Sequence, residues 1–196
     1  MAVPQDGAVH DELRARLIDT FRWVDPGPQS THLVSDVSGW WRDPLVLAGL
    51  GPALASLYTA QRPTVVIAPE VTGLLLGPLV ATALGVGFLP AYKHAGETDG
   101  GGRRIAEPMT WARTGADYRG RSLALGVRDR HLHPGDRVLL VDDWVATGAQ
   151  LRALHHVVAA RGAVVVGTAA IVADCPPALS AELGLRSLLR GADLAP

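Results

Sequence analysis

The sequence predicts a single α/β domain with a central, mostly parallel sheet flanked by helices. Three observations carry that prediction. Continuous apolar, β-branched runs occur at residues 64–68, 137–141 and 163–172, the texture of strands buried on both faces. Helical patterns alternate with them. The chain has 196 residues, 48% of them hydrophobic, which fits one compact domain or one domain with a small appendage.

Each element follows in order from local pattern. Residues 8–23 carry Leu13, Leu17, Ile18 and Phe21 at helical spacing with charges between them, so an amphipathic helix opens the chain. Asp25-Pro26-Gly27-Pro28-Gln29-Ser30 breaks regular structure, and residues 32–37 form a short extended segment. Asp43-Pro44 then starts a second helix reaching about residue 60, with proline in its first turn. Residues 64–68 are a buried strand. A turn at 69–73, a small-residue helix and the strand-like run 87–92 complete a β-turn-α-β unit. Between Lys93 and Tyr118 the periodicity disappears across Gly100-Gly101-Gly102 and Glu107-Pro108, and a structureless stretch this long inside a domain reads as a lid. Alternation returns at 119–127, 149–160 is helical, and the tail 176–196 is too short for a domain of its own.

Composition excludes several function classes. Eighteen basic and 19 acidic residues give a formal charge of −1, and both signs are scattered. That disfavours nucleic acid as a partner, since counterion release needs a concentrated basic surface. Cys175 is the sole cysteine, which removes an internal disulfide and a multi-cysteine zinc site and makes a reducing cytoplasm the expected location. The N-terminus has no signal-peptide pattern. The longest apolar run, 74–89, is interrupted by Pro78 and Thr82 and falls short of the about 20 residues of a membrane span, so no membrane partner is expected. His131/His133 and His155/His156 read as surface residues: adjacent positions on a helix point about 100° apart.

The most informative segment is Arg137-Val138-Leu139-Leu140-Val141-Asp142-Asp143-Trp144-Val145-Ala146-Thr147-Gly148-Ala149-Gln150. A buried strand ends in two carboxylates, and a small-residue turn then opens a helix. Adjacent acids at such a strand end repel and lose hydration. In open α/β sheets this is where ligands bind, and a Thr-Gly turn at a helix N-terminus offers N–H groups and a hydroxyl to a phosphate. Carboxylates for sugar hydroxyls beside a turn for an anion suit a sugar phosphate. A strand-end turn with a helix N-cap is the plain alternative.

This segment, four apolar residues, two acids, then Ala-Thr-Gly, resembles the signature of the type I phosphoribosyltransferases, which bind 5-phosphoribosyl-1-diphosphate (PRPP). Two further segments point the same way. Val65-Val66-Ile67-Ala68-Pro69-Glu70-Val71-Thr72-Gly73, leading after a helix into Gly87-Phe88-Leu89-Pro90-Ala91-Tyr92-Lys93, is similar to the diphosphate loop and following strand of adenine phosphoribosyltransferases. Asp36-Val37-Ser38 before Asp43-Pro44 is similar to an upstream element of the same branch.

The resemblance implies a type I phosphoribosyltransferase fold spanning residues 1–196: an N-terminal helix and hood (1–45), a core (46–175) and a flexible lid (94–118). It implies transfer of phosphoribosyl from PRPP to a purine-like base, adenine first, with release of diphosphate. A non-catalytic PRPP- or nucleotide-binding regulator on the same fold is the alternative. Asp142 and Asp143 would contact the ribose hydroxyls, and Ala146, Thr147, Gly148, Ala149 and Gln150 the 5-phosphate. Glu70, Val71, Thr72, Gly73 and Lys93 would contact the diphosphate, with Lys93 and Asp143 as catalytic residues. Magnesium would come bound to the diphosphate, and the chain would be a cytoplasmic homodimer.

The chain departs from the family at Thr72, where the loop usually carries arginine. It also departs in the segment after Tyr92 and at Gln150, where a small hydroxyl residue is commoner. Arg103, Arg104, Arg113, Arg119 and Arg121 either supply the missing cations or keep a loop solvated. Glu97, Glu107 and Asp117 are equivalent candidates for an acid or base. Trp40, Trp41 and Trp144 either stack on a base or pack in the core.

Overall fold

The computed structural model describes residues 6–28, 33–94, 107–115 and 122–195. The N-terminal helix α1 spans Asp6–Thr20 and stops three residues before the sequence pattern does. Arg22–Val24 is instead a strand, β1, paired antiparallel with β2, Val34–Asp36. A short helix α2, Ser38–Arg42, leads into α3, Pro44–Ser56. The Asp43 carboxylate caps α3 by accepting from the N–H groups of Leu45 (2.8 Å) and Val46 (3.4 Å), the usual use of Asp before Pro at a helix start.

The core alternates strand and helix: β3 Val65–Pro69, α4 Gly73–Leu84, β4 Gly87–His94, β5 Met109–Arg113, β6 Ala124–Arg128, β7 Arg137–Val145, α5 Ala149–Ala160 and β8 Val164–Ala173. A last helix α6, Pro177–Glu182, and strand β9, Leu185–Arg190, place most of the tail in the fold. The main sheet has seven strands in the order β5-β6-β4-β3-β7-β8-β9. The five from β4 to β9 run parallel, while β6 and β5 add antiparallel at one edge.

Strand alternation sorts the apolar runs onto two faces. Val66, Ala68, Leu139 and Val141 face α1, α3 and α4. Val65, Ile67, Val138 and Leu140 face α5. This explains continuous rather than alternating hydrophobicity. Helix α3 lies close on α4 because Gly51 leaves room for the Leu79 carbonyl.

Two sequence readings are corrected. Of the supposedly structureless 94–118, the described residues 107–115 include β5, paired with β6 over five residues. Its pattern is too short to register, and what fixes it is tertiary: Trp111 lies against Gly126, where any Cβ would collide with the indole. The rest of that stretch, 95–106 and 116–118, is outside the described residues. The second correction concerns the acid pair. The strand does not end there: β7 continues to Val145, with Asp142, Trp144 and Val145 still paired to β8.

Candidate functional site

Chain order reverses direction across the sheet at β3: the following strand, β4, adds on one side and β7 on the other. The C-terminal ends flanking such a switch are where an open sheet leaves a crevice. A cleft of about 560 Å³ lies there. Its floor is Asp142 and Lys93, and one wall is the turn from Ala146 to Gln150. The other end is closed by Trp23, Leu33, Val34 and Ser35 of the β1–β2 hairpin, with Trp144 and Asp174.

Asp142 is only 6% exposed. Burial first, and then the neighbouring Asp143 carboxylate, hold its carboxyl well above the ordinary carboxylate range, while Lys93 pulls the other way. Its Oδ1 accepts the Asp143 N–H at 3.0 Å. Asp143 is half-buried beside it but, unlike Asp142, is not among the residues that line the cleft. A buried acid with a like-charged neighbour is costly to keep ionised, and a ligand offering hydroxyl protons or a cation relieves that cost.

The turn after β7 is shaped by Gly148, which takes the left-handed conformation (φ 69°) as residue before α5. A Cβ there would sit 3.0 Å from Leu183 and 3.2 Å from Leu179. Thr147 Oγ1 accepts the Ala149 N–H at 3.3 Å, and Arg152 N–H donates to the Gly148 carbonyl at 3.0 Å. The Arg152 guanidinium donates to the Thr147 carbonyl and holds Glu182 of α6 by two bonds of 2.6 and 2.7 Å. The loop at the start of α5 is thus braced from outside. Its position at the N-terminal end of a 12-residue helix favours an anion.

Glu70, Val71, Thr72 and Gly73 do not line this cleft but border it. The Glu70 N–H donates to the Ala91 carbonyl at 2.9 Å, and Glu70 Oε2 accepts the Lys93 N–H at 2.8 Å. The Glu70 side chain therefore fixes the end of β4 that carries Lys93. The Glu70–Val71 peptide is cis, and Val71 is exposed. Gly73 opens α4 with no room for a Cβ against Ala68 (2.9 Å).

Other sequence candidates separate. Arg113 sits one residue from Ala112, which shares a face with Leu125 and Lys93 by register, so Arg113 belongs to the opposite face of the sheet. Arg103, Arg104, Arg119, Arg121, Glu97 and Asp117 lie outside the described residues. Glu107 pairs with Arg130 (3.3 Å) and Arg128 (3.9 Å), an attachment at the far end of β5. Trp40 is fully buried, its indole N–H on the Leu17 carbonyl, and Trp41 packs beside it. Trp144 packs in the core, stacked on Phe21 (5.8 Å, 26°), and also lines the cleft. The hairpin residues and Asp174 carry no sequence signal. The hairpin residues reach the site because the hairpin docks through Trp23, whose indole meets Trp144 edge-on at 6.0 Å, and Asp174 reaches it because it directly follows β8 beside Trp144.

Fold and cleft together define an open-sheet α/β protein with a buried acid, a lysine and the turn at a helix N-terminus gathered at one switch point. The phosphoribosyl transferase domain model matches residues 43–178. An adenine phosphoribosyltransferase of Paracidovorax citrulli is 33% identical over 192 residues, covering 97% of this chain and 94% of that one. One of Frankia casuarinae is 31% identical over 169 residues, covering 86% and 85%. The solved adenine phosphoribosyltransferase of Rhodothermus marinus shares the fold with a TM-score of 0.74 at 23% identity, covering 92% of this chain and 99% of that one. The Giardia lamblia enzyme, solved with 9-deazaadenine, does so at 0.75 and 24%, covering 90% and 97%. The chain belongs to the phosphoribosyltransferase family, and with it to the pentosyltransferases.

Proposed function

We propose that this chain transfers the 5-phosphoribosyl group of PRPP to adenine and releases diphosphate. The observation that carries the reading is one cleft joining Asp142, Lys93 and the Ala146–Gln150 turn, with an adenine phosphoribosyltransferase 33% identical over nearly the full length. In this reading Asp142 and Asp143 accept the ribose hydroxyls, and Thr147, Gly148 and Ala149 surround the 5-phosphate, with Ala146 and Gln150 at the turn's ends. Lys93 faces the diphosphate with Glu70, Val71, Thr72 and Gly73 beside it.

The base nitrogen forms its bond to C1 as the C1–O bond to diphosphate breaks, through a transition state with positive charge on the sugar. The proton that nitrogen loses passes to solvent or to the departing diphosphate. The chain contributes by holding the leaving group's negative charge through Lys93 and the sugar's growing positive charge through Asp143. Asp142 and the hairpin wall hold sugar and base in line and keep water out.

Among the described residues no three His, Cys, Asp or Glu side chains gather at one point. The two carboxylates are hard oxygen donors of the kind magnesium accepts when most of its shell is substrate oxygen and water. Magnesium bound to the diphosphate would neutralise its charge. Cytoplasmic location and a homodimer are supported by the family resemblance. Among the described residues no helix is long and apolar enough to cross a membrane.

Thr72, where the family resemblance leads to an arginine, favours a second reading: a PRPP-binding regulator that does not turn over. Incubation with PRPP, magnesium and adenine, hypoxanthine or guanine separates them. Base-dependent diphosphate release is expected, and saturable PRPP binding with no release for any base would overturn the transferase reading.

A further inference from the structure

The cleft has two chemically different ends. Its sugar and phosphate end is accounted for by Asp142, Lys93 and the turn before α5. The other end is walled by Trp23, Leu33, Val34 and Trp144, with Ser35 adding a hydroxyl, and into it opens one ionisable group among the described residues, Asp174. Asp174 directly follows β8, and its position is fixed at three points. Its N–H donates to the Val145 carbonyl at 2.8 Å. Its Oδ2 accepts the Trp144 indole N–H at 3.3 Å. Its Oδ1 lies over Gly191, where any Cβ would collide with it. Among the described residues no lysine or arginine pairs with it, and the Trp144 indole is its sole side-chain partner.

An ionised carboxylate offers about four acceptor positions and no donor. Trp144 uses one of them. The side chain is exposed, but the Trp144 indole and the Gly191 backbone hold it at the cleft wall, so its remaining acceptor positions are offered to whatever occupies that end. Those positions match a planar ligand carrying N–H groups on the edge turned toward β8. An edge with only lone pairs there would be repelled.

We propose that Asp174 is the specificity-determining acceptor for the base: it takes a hydrogen bond from the exocyclic amine and so selects amino-bearing purines. This rests on the phosphoribosyltransferase reading and deepens it. The tryptophans give affinity for any flat base, while the carboxylate reads the substituent.

The test compares adenine with unsubstituted purine, which differs only by lacking the amine, in the wild-type chain and in Asp174→Ala and Asp174→Asn. In the wild type, kcat/KM for adenine should exceed that for purine by about 10- to 100-fold, the worth of a hydrogen bond to a charged group. Asp174→Ala should bring the two bases within about threefold, through adenine's KM and without change in KM for PRPP, while Asp174→Asn, which keeps one acceptor oxygen, should be intermediate. An unchanged adenine-to-purine ratio in Asp174→Ala would overturn the proposal, as would a loss shared equally by both bases. The same ratio is also read at equilibrium, by quenching of tryptophan fluorescence as each base is titrated in. An Asp174-dependent preference for adenine without turnover would overturn the transferase reading and support this one. Turnover with no such dependence would do the reverse.

Discussion

Replacing Asp142 by Asn should stabilise the protein while damaging its donor site. Asp142 is 6% exposed and lies beside a second carboxylate, so burial and Asp143 raise its pKa well above the unfolded value. A carboxyl raised on folding binds more protons folded than unfolded. Its penalty is absent below about pH 3.9 and accumulates as pH rises through the folded value. Asn has the same shape and keeps an oxygen to accept the Asp143 N–H. Removing a buried charge that Asp143 repels and Lys93 only partly offsets should gain roughly 1–3 kcal/mol near pH 7.5, or about 2–12 °C in Tm for a chain of this size. The same change removes one charge-assisted bond to the ribose, weakening PRPP by about 10- to 150-fold. Thermal unfolding from pH 4 to 8 with and without PRPP reads both effects. The Tm advantage of Asp142→Asn should shrink toward pH 4. A pH-independent advantage, or a loss of stability at pH 7.5, would refute the reasoning.

Other consequences follow from neighbouring groups. Lys93→Met should lower kcat by about 10²- to 10³-fold, the usual cost of removing one charge-stabilising group, with Tm unchanged because the side chain is exposed; steady-state kinetics and a melting curve check this. Gly148→Ala forces a Cβ into the left-handed region against Leu183 and Leu179, so Tm should fall by about 2–8 °C, from about 1–2 kcal/mol of backbone strain, and KM for PRPP should rise. Glu70→Ala removes the acceptor for the Lys93 N–H and should raise KM for PRPP about 3- to 10-fold, with Glu70→Gln restoring most of it because its amide oxygen can accept the same N–H.

The parallel core and the acid pair were legible because their causes are local. Val65, Ile67, Val138 and Leu140 read as strand because both faces are covered. Asp142 and Asp143 stood out because no packing reason explains two acids after Val141. What the sequence did not show depends on distant contacts. Strand β5 rests on Trp111 over Gly126, β9 on pairing with β8, and β1 on pairing with β2 beyond a proline-rich turn, which is why the helical pattern overran Thr20 to Trp23. Trp144 offered two readings in sequence, base stacking or core packing; it packs in the core and, because β7 runs past the acids, also lines the cleft. Asp174 is silent in sequence because its place at the cleft rests on distant contacts: the end of β8 beside Val145 and Trp144, thirty residues earlier in the chain.

The central claim, donor chemistry at the end of β7, is tested most directly by phosphorus NMR of PRPP, magnesium and adenine with wild type and with the Asp142→Asn/Asp143→Asn double variant. The wild type should yield inorganic diphosphate and a base-linked 5-phosphate monoester in equal amounts, and the folded double variant should yield neither. Equal rates from both proteins, or ribose 5-phosphate with the base untouched, would contradict it.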